Sequence, residues 1–335
     1  DLEHKADIAE EIARFYGYNR IPSTPLRGNA QGKYTPRQKF EDKISNTMLA
    51  LGLSEIMTYS FLSPKAYDKI GMPEQDCLRN SVIISNPLGE DTSIMRTTAL
   101  PSMLDTLARN YNNRNGAVAL FELASEYYPV EGQELPDEKT KLIAGLYGDD
   151  CDFFTAKGMV EQLLDTLFIS NYEFESSSDE YAYHPGRCAH IMIDDTVIGV
   201  IGEIHPKVAE NYGINERILC FTLDVDSLFA HTQTNATYTP LPKFPAVTRD
   251  LALICDEIIP VRMLEKAITK GAGNLLETIQ LFDVYQGEQI ESGKKSVAFN
   301  IVLRSAENTL AEEQVNSTMK KVMKELEKVG ASLRV

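Results

Sequence analysis

The chain has 335 residues, 43% hydrophobic and 24% charged, with no Trp and with 49 acidic against 33 basic side chains, a formal charge of −16. That length exceeds what one ordinary core uses, so two or three units are expected, and the apolar and charged fractions exclude a disordered or collagen-like chain. The longest apolar runs, such as residues 191–193 and 198–201, fall far short of the roughly 18 residues a membrane span needs, which predicts a soluble protein.

Residues 1–19 read as one helix, with acids leading (Asp1, Glu3, Asp7) and Ile8, Ile12 and Phe15 on one face. It ends at Gly17, and Pro22 and Pro25 carry the chain away as a basic, solvated connector. A second helix is expected from Thr35, with Pro36 at its first position, Phe40, Ile44, Met48 and Leu51 as its stripe, and Gly52 closing it. Residues 56–61 and 81–85 are predicted strands, followed by a helix over 101–111. Strands are then expected at 118–123, 141–147, 188–193, 197–201 and 218–224, with a helix at 155–168 and a hairpin at Asp194-Asp195. Strands and helices without a βαβ rhythm argue for an α+β fold. Residues 227–246, with Pro240, Pro242 and Pro245, read as a connector between domains. Beyond it the order is strand 250–255, helix 260–270, strand 275–285, strand 296–303, a helix capped by Thr309 and Glu312 running to Val329, and strand 332–335. This β-α-β-β-α-β order is the ferredoxin-like split unit, whose sheet leaves one face free for a partner.

The five Cys are odd in number, scattered and never in a C-x-x-C pair, which argues against a disulfide framework or zinc knuckle and for a reducing cytoplasm. The lack of an initiator Met or a leader predicts a piece of a longer chain. Taken whole, −16 argues against a nucleic-acid partner, but residues 1–121 hold 14 bases and 14 acids, 122–239 hold 6 and 22, and 240–335 hold 13 and 13. The excess lies in the middle third alone.

No catalytic constellation announces itself. His184, Cys188 and His190 fit no zinc spacing, and His184-Pro-Gly-Arg187 reads as a turn entering the strand that follows. There is no G-x-S-x-G, and no Gly-rich loop precedes a Lys-Ser/Thr pair. Asp1, Asp7, Glu10 and Glu11 have two readings: carboxylates for a hard cation such as Mg2+, or an acidic first turn complementing the helix dipole. In the last domain Lys243, Arg249, Lys294, Lys295 and Arg304 lie on or beside strands with Phe244, Tyr285 and Phe299. Bases and exposed aromatics on an open sheet would make a single-stranded RNA platform; the other reading is that the aromatics are core and the bases are rim.

Several of these segments together resemble a known family. The run Asp7 to Pro22 (DIAEEIARFYGYNRIP) closely resembles the start of the C-terminal half of bacterial phenylalanine–tRNA ligase β subunits. The runs at 52–61 (GLSEIMTYSF), 86–96 (NPLGEDTSIMR), 120–123 (LFEL), 184–187 (HPGR) and 199–206 (GVIGEIHP) are similar to that subunit's synthetase-like module. Those at 243–251 (KFPAVTRDL), 281–285 (LFDVY) and 293–296 (GKKS) are similar to its ferredoxin-fold anticodon-binding domain.

The resemblance implies a helix remnant at 1–22, a catalytically silent class II synthetase-like antiparallel-sheet module at 23–238 and an anticodon-binding domain at 239–335. It implies an α2β2 cytoplasmic enzyme that joins phenylalanine to tRNA(Phe) with ATP and Mg2+, its active site on the α subunit. No catalytic residue is expected in this chain: Phe121 precedes Glu122 where a phosphate-binding Arg belongs, and no Arg follows the run 199–206 until Arg217. In the family a Mg2+ site shared with α is built from carboxylates that correspond to Asp1, Asp7, Glu10 and Glu11. For tRNA contact the expected residues are Phe244, Arg249, Tyr285, Lys294, Lys295 and Arg304. The family's amino-terminal parts, including an editing domain, are not in this sequence. The rival expectation is a non-enzymatic ferredoxin-like module that senses amino acids or binds RNA.

Overall fold

The computed structural model describes residues 2–25, 28, 32–233, 238, 240–287 and 289–334, and the chain divides into two units, Asp1–Ala236 and Thr237–Val335. The first begins with helix α1 (Lys5–Tyr16), whose predicted stripe of Ile8, Ile12 and Phe15 is exposed. Helix α2 (Pro36–Ala50) starts where Thr35 and Gln38 exchange hydrogen bonds, Gln38 N to Thr35 Oγ1 at 3.2 Å and Thr35 N to Gln38 Oε1 at 2.9 Å. It buries Phe40, Ile44 and Met48, three residues of the expected stripe.

Next come β1 (Ser54–Glu55), β2 (Phe61–Leu62), α3 (Lys65–Lys69), β3 (Ile94–Met95) and α4 (Leu100–Asn112). The strand expected over 56–61 does not form. The chain follows β4 (Val118–Tyr128) only at Ser54 and Glu55, then bends so that Thr58 reaches Glu122. The strand expected over 81–85 is reduced to one bridge, Ile83 to Ile94, just ahead of Pro87.

The remaining elements of this unit are β5 (Asp137–Tyr147), α5 (Phe153–Thr166), β6 (Tyr172–Ser176), β7 (Tyr183–Ile193), β8 (Thr196–Ile204), α6 (Pro206–Asn211), β9 (Ile218–Asp224) and α7 (Val225–His231). Seven strands form one sheet in the order β1-β4-β5-β9-β8-β7-β6, parallel between β1 and β4 and antiparallel elsewhere. Both faces are buried. Leu120, Ile143 and Cys220 pack with Met103, Leu104 and Leu107 of α4, while Phe121, Leu142 and Phe221 pack with Ile44 of α2 and Leu163 of α5.

Three readings change here. The HPGR segment is not a turn before a strand but lies inside β7, at a register irregularity between Tyr183 and Cys188. β6 was hidden because its Tyr172 and Phe174 alternate with acids at an edge. α7 occupies the start of the expected connector, because Asp224 caps it through Ser227 N at 2.6 Å and Val225 and Leu228 are buried.

In the second unit β10 (Val247–Asp256), α8 (Val261–Ala272), β11 (Leu276–Tyr285), β12 (Lys294–Leu303), α9 (Glu312–Lys328) and β13 (Ser332–Leu333) follow the predicted order. The sheet reads β11-β12-β10-β13, each pair antiparallel, which in this unit's own numbering is 2-3-1-4. Leu253, Phe299 and Ile301 form its core with Leu264 and Ile268 of α8 and Val322 and Leu326 of α9. The helices meet at Gly271, where an added Cβ would lie 2.5 Å from Val322 Cα. The cap of α9 is not the pair Thr309 and Glu312: Leu310 is buried, and the helix starts two residues later, with Ala311 N donating to Gln314 Oε1 at 3.0 Å.

Candidate functional site

The residues singled out by the sequence fall in three places. Among the amino-terminal carboxylates, Asp1 lies outside the described residues. Asp7 Oδ2 accepts the backbone N–H groups of Glu3 and His4, both at 2.8 Å, and so holds the start of α1. Glu11 Oε2 accepts from Arg14 Nε at 3.1 Å, and Glu10 is exposed. Among the described residues no group of three or more His, Cys, Asp or Glu is placed to hold a metal ion.

The second place is the middle of the large sheet. Successive strand residues face opposite sides, so the residue beside Glu122 on its own face is Leu120, and Phe121 points into the opposite core. Neither is a cation. Glu122 is met instead by Arg96, which sequence reasoning did not single out although it ends the run 86–96. Arg96 Nη2 lies 3.0 Å from Glu122 Oε1, Nη1 donates to Thr58 Oγ1 at 2.7 Å and Nε to Ser125 O at 2.8 Å, while Thr58 Oγ1 donates to Glu122 Oε2 at 2.7 Å. The carboxylate is fully engaged inside the protein.

Four residues along β4, Glu126 accepts from Ala99 N at 2.8 Å and from the Tyr128 hydroxyl at 2.6 Å. Burial holds its carboxyl above the usual range, outweighing those hydrogen bonds and the charges of Lys141 and Arg96. On β8, Glu203 is likewise engaged: Arg187 Nη1 donates to both of its oxygens at 2.9 and 2.8 Å, and Arg217 Nε lies 3.1 Å from Oε2. The first Arg after the run 199–206 therefore serves a carboxylate of this chain. His190 pairs with Glu180 at 2.9 Å, His184 Nδ1 accepts from Gly186 N at 3.1 Å, and burial pushes the Cys188 thiol up to about 12, so the three do not converge as metal ligands.

The third place is the second unit's sheet. Both helices cover the face that carries Leu253 and Phe299, so Phe299 is core, not an exposed aromatic. Register puts Arg249, paired with Ile301, and Lys295, paired with Cys255, on that helix side. Tyr285, paired with Ser296, and Lys294, paired with Asp256, belong to the other face.

The six expected contacts do not form one patch. Phe244, Arg249 and Arg304 gather at one end of the strands, where Arg304 Nη1 donates to the Phe244 carbonyl and Nε lies 2.8 Å from Glu277 Oε2. Tyr285, Lys294 and Lys295 lie toward the other end, five to seven residues along β12 from the position that Arg249 pairs with, about 17–23 Å at the usual rise per residue. Lys294 Nζ is 2.6 Å from Glu291 Oε2, a pairing that raises its pKa, and Lys295 Nζ donates to Glu257 O at 2.9 Å. Tyr285 is exposed.

A groove in the first unit was not foreseen. Met57 and Tyr59 are 96% and 83% exposed on its rim, Phe61 is also exposed, and the groove holds about 770 Å³. On its wall the Ser102 hydroxyl is buried with no hydrogen-bond partner among the described residues. No described helix is long and apolar enough to cross a membrane.

Both units match known families. The family model of the phenylalanyl tRNA synthetase beta chain CLM domain matches residues 21–225, and that of a ferredoxin-fold anticodon binding domain matches 242–334. The phenylalanine–tRNA ligase beta subunit of Clostridium acetobutylicum is 43% identical over 338 residues, covering 100% of this chain and 42% of that protein. That of Carboxydothermus hydrogenoformans is 40% identical over 346 residues, with 100% and 43% covered. The chain spans about two-fifths of the length of these relatives. A crystal structure of pyrrolysyl-tRNA synthetase from Desulfitobacterium hafniense aligns over 67% of this chain and 74% of its own at 14% identity, with a TM-score of 0.49.

Proposed function

The chain belongs to the phenylalanine–tRNA ligase β-subunit family, and from that premise we propose that it is a non-catalytic part of the ligase that packs against the α subunit and binds the tRNA(Phe) anticodon stem-loop during ATP-dependent aminoacylation. One observation carries the RNA reading. The segment matching the anticodon-binding family folds into a 2-3-1-4 sheet with both helices on one face, leaving Tyr285 and Lys294 on the other. An exposed tyrosine gives a base a face to stack on, and a lysine beside it attracts the backbone. Phe244, Arg249 and Arg304 belong to a separate cluster at the far end, where Arg304 already bridges Glu277 and the Phe244 carbonyl.

The silent character of the first unit is supported by where its charges go. ATP needs cations for its phosphates. Leu120 and Phe121 offer none beside Glu122, and the one cation that reaches Glu122, Arg96, is buried and spent on Glu122, Thr58 and Ser125; Arg187 and Arg217 are held at Glu203 by one nitrogen each. ATP and the chemistry accordingly belong to the α subunit. The groove rimmed by Met57 and Tyr59 is the proposed seat of α, since exposed apolar side chains around an unpartnered buried hydroxyl suit a protein surface that supplies the missing hydrogen bond. A Mg2+ ion shared with α would be held by Asp1, Asp7, Glu10 and Glu11, whose hydrogen bonds among the described residues use one oxygen each of Asp7 and Glu11, and no step is assigned to it.

Titration of the chain with tRNA(Phe), and with the same tRNA lacking its anticodon stem-loop, tests the reading. Binding that is lost with the stem-loop supports it; equal binding to both would overturn it. Phenylalanine-dependent ATP–pyrophosphate exchange by the chain alone would overturn the silent assignment.

A further inference from the structure

We propose that a cavity at the α5 edge of the large sheet binds a small aromatic carboxylate, held by Arg187 and Arg217 and packed against Phe153, Phe154 and Phe174. The inference rests on neither the α nor the RNA reading. The cavity holds about 590 Å³ and is lined by those five side chains together with Glu203. That size lies within the range of small-ligand sites, and such sites combine apolar walls with a few fixed polar groups.

Both parts are present. Phe153 and Phe154 meet edge to face with ring centroids 5.8 Å apart, and Phe154 is 74% exposed, so its ring is not consumed by the core. Glu203, itself 10% exposed at its side chain, fixes the two guanidinium groups, which are each 50% exposed. Arg187 uses only Nη1 on Glu203 and Arg217 only Nε, and no described residue accepts from their remaining N–H groups. Two guanidinium forks held by a buried carboxylate form a preorganised anion clamp.

Charge selects the ligand. Asp152 also lines the cavity, and Asp149, Asp150 and Glu216 are neighbours in the chain, in a segment with 22 acids and 6 bases. Two guanidinium groups against the one Glu203 carboxylate leave the clamp a single positive charge, which one carboxylate on an apolar body neutralises and the several charges of a nucleotide exceed.

Calorimetric titration of the chain with 3-phenylpropionate tests the assignment. Saturable binding is expected, weakened at least about tenfold by Arg217→Gln and by Phe154→Ala and at least about tenfold weaker for 3-phenylpropionamide, which lacks the charge. Phe154 is surface-exposed, so its variant keeps the fold, which circular dichroism checks. No saturable binding up to about 10 mM, equal binding by both variants, or tighter binding of ATP than of the carboxylate would overturn the proposal.

Discussion

Arg96 and Glu122 form an ion pair sealed inside the first unit, with Nη2 and Oε1 3.0 Å apart and side chains 2% and 5% exposed. Two charges are taken out of water, and every oxygen and fork nitrogen is met by Thr58, Ser125 or its partner. Removing one member leaves the other charged and dry. Arg96→Ala is expected to cost about 3–5 kcal/mol in urea unfolding, and the double replacement Arg96→Met with Glu122→Leu much less. Equal losses in the single and double variants would show that the pair contributes more than mutual neutralisation.

Glu126 makes stability depend on pH in a stated direction. Burial raises its carboxyl above the unfolded value, so the folded state holds the proton more tightly. Its contribution is complete below the unfolded pKa of about 4.3 and is lost as pH rises from there through the folded value. Glu126→Gln should flatten the stability profile across that window and leave the protein more stable than the parent above it. Urea midpoints measured at steps of pH check both statements, and parallel profiles would contradict them.

Gly271 lets α8 approach α9. An added methyl would stand 2.5 Å from Val322 Cα and 2.8 Å from Val322 N, both backbone atoms that cannot step aside. Gly271→Ala gains about 1 kcal/mol of helix propensity yet is expected to lose more, about 1–3 kcal/mol net, by forcing the helices apart. Thermal unfolding of the variant, followed through the second unit's transition, reads the loss.

The split of the six RNA candidates gives distinguishable variants. Tyr285→Ala should weaken RNA binding by about 1–3 kcal/mol, and Lys294→Ala should lower the salt dependence by about 0.7–0.9 log units per log unit of salt. Arg304→Ala removes the link to Glu277 and Phe244, so it is expected to lower the second unit's stability more than the salt slope. Binding isotherms across a salt series separate the two effects.

Periodicity carried the fold a long way. The apolar alternation of residues 296–303 and the stripe Phe40, Ile44 and Met48 announce β12 and α2 because each element buries one face. What stayed hidden was set by tertiary contact. The run 56–61 looks like a strand but surrenders its pairing so that Thr58 can reach Glu122, 64 residues on. Asp224 reads as the end of a strand, yet its carboxylate also caps α7; burial raises that carboxyl, but the hydrogen bonds from Lys141 and Ser227 prevail and hold it below its usual range.

The sites were less legible than the fold, since charge-bearing residues could be named but not paired. Arg96 sat in a recognised run without its partner, and only strand register separated Tyr285 and Lys294 from Arg249 and Lys295.

The measurement that bears most directly on the account is co-expression of this chain with the phenylalanine–tRNA ligase α subunit, followed by sedimentation analysis. The chain is expected to form a complex with equal numbers of both chains, and Met57→Asp with Tyr59→Asp on the exposed rim of the groove should abolish it while the chain stays folded. Separate sedimentation of the unaltered chain and α, or a complex indifferent to both aspartates, would contradict the assignment.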